Sequence, residues 1–405
     1  MLCHLLVIAS FAGCASSETR TQHLPDPAGN PGFVRFYNND YDGAVAYFED
    51  QVKAAPRDPD QYNHLAQSIL YRQMFRNGAL ESQLVSGANT FLQRAKLPMS
   101  EQEKARFAQC IRKAESLSQA VTDKNPKDVR ALYSLGVAHG LQANYFFLVE
   151  KAWIDALREA TVARKADESI LQIDPEFVDA KLIVGLNQYV VGSLPFFMRA
   201  LGFFGGFHGD KDGGIRQLET VARCGVMNRY DASILLAVIY RREHRPRQAI
   251  PLLKELAQRF PENYLLRFEQ VEMYSDAGDK TAALNVLDAI DRLRQSGAPG
   301  YSGIKPAKLR YLTGNIQFWY ADLATAEINL KKATQNADEL DVSTATLAWL
   351  RLGQVNDLQG RHREACEAYS QVMKIAPNSP VATEAENYLS GPYHRKKATQ
   401  EGRGD

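Results

Sequence analysis

The chain has 405 residues, 45% of them apolar and 23% charged, with 48 basic side chains against 47 acidic ones. This apolar share supports a proper hydrophobic core, and the formal net charge of +1 without a basic stripe gives no electrostatic footprint for nucleic acid. The only dense basic cluster, His394-Arg395-Lys396-Lys397, reads as part of a solvated tail over 391–405.

The first element is a leader over 1–14. Leu5 to Ala12 reads LLVIASFA, an apolar run of secretion-signal length, too short to span a bilayer. It closes on FAGC, which resembles a bacterial lipoprotein box, with Cys14 as the lipidated first residue of the mature chain. Phe11 stands where that box usually has Leu, and the residues before the apolar run carry no Lys or Arg. Residues 15–31 are polar with several Pro and Gly and suit a flexible tether. The resemblance implies an outer-membrane lipoprotein facing the periplasm, with a soluble periplasmic or secreted protein as the alternative. Cys110, Cys224 and Cys366 form no C-x-x-C and read as buried thiols.

Residues 32–227 carry degenerate helical hairpins. Tyr41, Ala44, Phe48 and Pro56 mark a second helix behind a brief first one; Leu132, Leu135 and Gly136 mark another first helix. A long helix runs from Lys151 to the stop at Pro175, and Gly185 opens a further hairpin as its crossing residue. From 228 to 390 the repeats are regular. Ala237, Tyr240, Ala249, Leu253 and Pro261 are followed by Tyr274, Gly278, Ala283 and Leu287, and Ala249 and Ala283 are 34 residues apart. Gly314, Ala326, Leu330 and Ala333 come next. Trp349, Leu352, Gly353, Gly360, Ala365, Tyr369 and Pro377 close the series. This last set has the spacing of the tetratricopeptide signature, with Asn356 in place of its tyrosine. Small residues let two helices cross closely, large ones fill the space between them, and proline ends the second helix. With no strand-like alternation anywhere, the expected fold is all-α, a right-handed superhelical solenoid of antiparallel helix hairpins.

One segment breaks the series. Residues 192–214, GSLPFFMRALGFFGGFHGDKDGG, concentrate Phe and Gly into a joint built on Pro195, Phe203, Gly206, Phe207, Gly209 and Asp210. Pro195 and the glycines preclude a spanning helix. His208, Asp210 and Asp212 lack the calcium-loop pattern and its terminal Glu. Asp212 or Asp210 is expected to cap the following helix. The segment resembles the central motif of the eukaryotic tetratricopeptide-repeat-39 and mitochondrial outer-membrane inclusion-body clearance family. The matching residues are Leu194-Pro195, Leu201, Gly206-Phe207, Gly209-Asp210 and Gly214-Ile215. That resemblance implies a repeat array without established catalysis.

No H-E-x-x-H, phosphate loop, nucleophile elbow or dinucleotide fingerprint occurs, and the S-x-x-K at Ser302–Lys305 has no K-T-G partner. No enzyme, no cofactor and no metal site is therefore expected. Positions two, five, nine and twelve of each repeat are those that line the concave face in the tetratricopeptide convention. Here they include Phe268, Glu272, Lys308, Tyr311, Asn315, Leu347, Leu350 and Gln354. The expected function is a scaffold binding a protein or peptide partner in that groove, anchored to the membrane through its lipidated end, without nucleic acid. The alternative is a ligand-binding accessory lipoprotein of a transport system, using the apolar region 196–207.

Overall fold

The computed structural model describes residues 24–80, 96–193 and 209–395. Among the described residues there are seventeen α-helices and no strand, so the all-α expectation holds. The helices fall into two compact units. One holds the chain up to Phe36 with Asp40–Asn77 and Ala95–Leu236; the other holds Tyr37–Asn39 and the chain from Ala237 onward.

In the first unit, α1 (Pro31–Tyr37) and α2 (Tyr41–Ala54) precede α3 (Pro59–Arg76), α4 (Glu101–Thr122), α5 (Val129–Tyr145), α6 (Trp153–Ile173), α7 (Lys181–Gly192) and α8 (Lys211–Cys224). The chain turns back after each element: α3 packs on α4, α5 on α6 and α7 on α8, while α3 and α5, next-but-one neighbours, also touch. Helix starts are written in the sequence: Asp40, Asp58, Ser100 and Asp128 each accept a backbone N–H of the first turn. The long helix expected from Lys151 instead begins at Trp153. A single π turn, Phe146–Glu150, ends on Lys151 at φ 58, and this left-handed residue breaks the helix there.

In the second unit, α9 (Arg229–Arg242, begun in the first unit), α10 (Pro246–Arg259), α11 (Tyr264–Asp276), α12 (Lys280–Gln295), α13 (Pro306–Trp319), α14 (Leu323–Gln335), α15 (Val342–Leu358), α16 (His362–Ile375) and α17 (Pro380–Asn387) follow. Helices α11 and α12, α13 and α14, and α15 and α16 pair as hairpins, and α13 touches α15 as α15 touches α17. The core is the set of positions that the repeat spacing marks: Ala249, Ala283, Ala326, Leu330, Ala365 and Tyr369 are all at or near zero exposure. At Gly353 the fit is closest, since a Cβ there would stand 2.3 Å from the Tyr369 ring. Each hairpin is thus held by a small residue nested against a large one, and the next hairpin covers what the pair leaves open.

Cysteine placement differs from expectation. Cys110 is buried and free, but Cys366 and Cys224 are only half-buried. Cys224 ends α8, where a helix terminus leaves one side open to water. Cys366 stands one turn into α16, beside His362.

Candidate partner groove

The first helices of the second unit bring the expected groove residues into one row. Their side chains are engaged with neighbouring helices and are not free in solvent. Phe268, Lys308, Tyr311, Leu350 and Gln354 are each less than a tenth exposed, and Glu272 and Asn315 are half-buried. Leu350 packs with Ala365, Tyr369 and Ala382, between α15, α16 and α17. Leu347 is half-buried on α15.

Polar links run from helix to helix along this row. Arg241 Nη2 stands 2.8 Å from Glu272, and its Nε 3.0 Å from Asp276, joining α9 to α11. Arg351 donates to Asn315 Oδ1 at 2.9 Å, joining α15 to α13, and Gln354 donates to Glu384 on α17 at 3.2 Å. Arg351 also lies over the Phe318 and Trp319 rings, at 4.9 and 4.6 Å from their centroids. Burial pushes the Tyr311 hydroxyl well above its ordinary value; the nearby Arg351 charge opposes this and the Glu272 charge adds to it. A row so tied fixes the spacing of successive hairpins, because each link spans one repeat.

An opening lies at the N-terminal ends of three of these helices. A hollow of about 150 Å³ is lined by Tyr264, Phe268, Ile304, Lys308, Leu340 and Asp341 among others. Tyr264 is the first residue of α11, Lys305 stands before α13 and Asp341 before α15, so three helix N-termini converge on it. Lys308 Nζ is 3.3 Å from Asp341 Oδ2. Burial acts to raise the Asp341 carboxyl, but the Lys308 charge and the Thr344 hydrogen bonds outweigh it and hold the group below the usual carboxylate range. The hollow is therefore lined by Tyr264, Phe268, Ile304 and Leu340 together with charges of both signs. Sequence spacing pointed to Phe268 and Lys308. It missed Tyr264, Ile304, Leu340 and Asp341, which sit at helix starts and in linkers outside the repeat positions.

In the first unit, the two ends of the Phe/Gly-rich joint meet. A Cβ on Gly209 would stand 2.2 Å from the Gly192 backbone nitrogen, and Gly185 and Gly214 make a second close backbone approach where α7 crosses α8. Asp210 is the N-cap of α8, accepting from Gly213 N at 2.9 Å, with Asp212 in the first turn. Cys14, Pro195, Phe203, Gly206, Phe207 and His208 lie outside the described residues, as does the apolar region 196–207. Among the described residues no helix is long and apolar enough to cross a membrane.

A tetratricopeptide repeat model matches residues 234–298, and a second tetratricopeptide repeat model matches 347–379. The chain carries these repeats where α9 to α12 and α15 to α16 stand. Among solved structures it is similar to the APC/C hetero-tetramer Cut9-Hcn1, at 13% identity over 88% of this chain and 54% of that one, TM-score 0.45. It is also similar to yeast Tom70, at 13% identity over 90% and 88%, TM-score 0.38. A third is the human IFIT1 dimer with m7Gppp-AAAA, at 11% identity over 91% and 81%, TM-score 0.40. The chain spans about half the length of the first of these. No curated protein matches it in sequence.

Proposed function

We propose that this protein is a non-catalytic scaffold that binds a segment of a protein partner at the hollow between α11, α13 and α15. The observation that carries the reading is the convergence of three first-helix starts on a hollow lined by both apolar and charged side chains in an array of interaction repeats. An apolar side chain of the partner fills the hollow, and polar groups beside it engage Lys305, Lys308, Glu339 and Asp341. Space for one side chain suits a peptide anchor better than a cofactor-sized ligand, which needs several hundred Å³.

Gly303 is one of the residues lining the hollow, and a Cβ there meets nothing within 4 Å, so Gly303→Trp adds a bulky ring beside the hollow at little structural cost. Affinity capture from the native cell envelope, with the wild-type chain and Gly303→Trp as paired baits, tests the reading. The partner retained by wild type is lost with Gly303→Trp. An identical set of captured proteins on both baits removes the hollow as the binding site.

The scaffold is exported and held at a membrane by lipid on Cys14, a reading supported by LLVIASFA followed by FAGC. Radioactive fatty-acid labelling of wild type and Cys14→Ala tests it: label on wild type alone supports the anchor, and equal labelling excludes it.

A further inference from the structure

We propose that Glu115, His139 and Glu159 form a binding site for a divalent transition-metal ion of the zinc class. The three side chains come from three consecutive helices, α4, α5 and α6 of the first unit, and their ligand atoms all lie within 4.8 Å of one another. His139 Nδ1 is 2.6 Å from Glu159 Oε2 and 3.7 Å from Glu115 Oε1. The imidazole therefore stands between two carboxylates, with its nitrogen turned to both.

Charge favours a cation there. Among the described residues neither carboxylate is ion-paired with a Lys or Arg; each has only His139. Their side chains are 27% and 16% exposed, so water screens them only partly. With a neutral ring the cluster carries two negative charges, and with a protonated ring it still carries one. A divalent ion neutralises the set outright.

The donor types select among ions. Calcium and magnesium take oxygen ligands, whereas one imidazole with two carboxylates suits zinc and its first-row neighbours. Zinc bonds of about 2.0–2.2 Å put tetrahedral donors roughly 3.3–3.6 Å apart, between the 2.6 and 3.7 Å separations of His139 Nδ1 from the two carboxylates, which themselves lie within 4.8 Å of each other, so the donors need only small side-chain adjustments to meet one ion. Three protein ligands leave a fourth position for water or for a donor from another molecule. The ion would also pin α4, α5 and α6 together. Sequence inspection for paired histidines within one helix could not reveal this set, whose members are spread over three helices.

The test uses the full chain stripped with a chelator and titrated with zinc chloride by isothermal calorimetry. One zinc binds per chain, and His139→Gln and Glu159→Gln each weaken it by about tenfold or more, while His362→Gln, beside the Cys366 thiol, leaves it unchanged. Calcium chloride in excess does not displace it. X-ray absorption on the zinc-loaded wild type reads imidazole and oxygen ligands with no sulfur, a result that does not depend on any variant folding. No zinc uptake, affinity unchanged in both variants, or sulfur in the coordination shell overturns the proposal.

Discussion

Arg351 on α15 reaches back one repeat and donates from Nε to the Asn315 Oδ1 on α13 at 2.9 Å. The same guanidinium covers Phe318 and Trp319 and donates from Nη1 to Gln354. One planar cation thus serves two helices through hydrogen bonds and ring faces at once, which an ammonium on a flexible stem cannot do. Arg351→Met is expected to destabilise the second unit by about 2 kcal/mol, and Arg351→Lys by about half of that. Urea unfolding followed by tryptophan fluorescence reads the difference. Equal midpoints for wild type and Arg351→Met would show that the link contributes nothing.

The turns inside the hairpins carry a second prediction. Gly278 and Gly360 join the two helices of their hairpins at φ 86 and φ 77, and in the α13–α14 hairpin the left-handed turn residue is Ala321 at φ 62. A Cβ in that region costs about 1–2 kcal/mol. Ala321→Gly should therefore raise stability by roughly 1 kcal/mol, and Gly360→Ala should lower it by a similar amount. Thermal melts of the two single variants are expected to move in opposite directions. A lower melting temperature for Ala321→Gly would mean that its methyl packs usefully.

These turns show how far the sequence could be read. Spacing within one repeat encodes contacts within one hairpin, so Gly353 against Tyr369 and the buried Ala283, Ala326 and Ala365 were legible from residue type and interval. Contacts between repeats depend on how each hairpin tilts on the next, which no local interval records. Phe268 and Lys308 were therefore found on the right helices, yet their burial was not foreseen. Nor were Ile304 and Leu340, whose positions in linkers have no repeat register. The break at Lys151 was hidden for a different reason: a π turn leaves the helical pattern of apolar residues almost unchanged while it shifts the phase.

Asp167 gives a pH dependence. It is 3% exposed, and burial, followed by the charges of Asp179 and Glu168, raises its carboxyl well above the ordinary 3.8. Asp179, by contrast, receives the backbone N–H of Asn228 at 2.7 Å and of Val226 at 3.1 Å. These bonds oppose the burial that raises its own carboxyl. For Asp167 the folded state holds its proton more tightly than the unfolded chain does. Below the unfolded value both states are protonated and its contribution is intact; as pH rises through the interval up to the folded value, stability falls. Each pH unit of that interval costs about 1.4 kcal/mol. Asp167→Asn, which never ionises, is expected to be more stable than wild type at pH 8, with the advantage vanishing near pH 4. Urea midpoints at the two pH values check this, and a constant difference between them would rule out ionisation as the cause.

The closed joint of the first unit makes the last prediction. Gly192 and Gly209 bring two stretches of backbone together, and a Cβ on Gly209 would stand 2.2 Å from Gly192 nitrogen and 2.5 Å from the Val191 carbonyl carbon. Backbone cannot rotate aside as a side chain can, so Gly209→Ala must part α7 from the start of α8. That separation would also disturb the Asp210 cap, whose bond to Gly213 N is one residue further on. The expected cost is about 1–3 kcal/mol for the forced shift and about 1 kcal/mol for a lost cap. Asp210→Ala should show the second effect alone. Hydrogen exchange at the α8 amides distinguishes them: faster exchange confined to the first turn for Asp210→Ala, and along both α7 and α8 for Gly209→Ala. Wild-type exchange in Gly209→Ala would mean that the two strands of chain do not touch there.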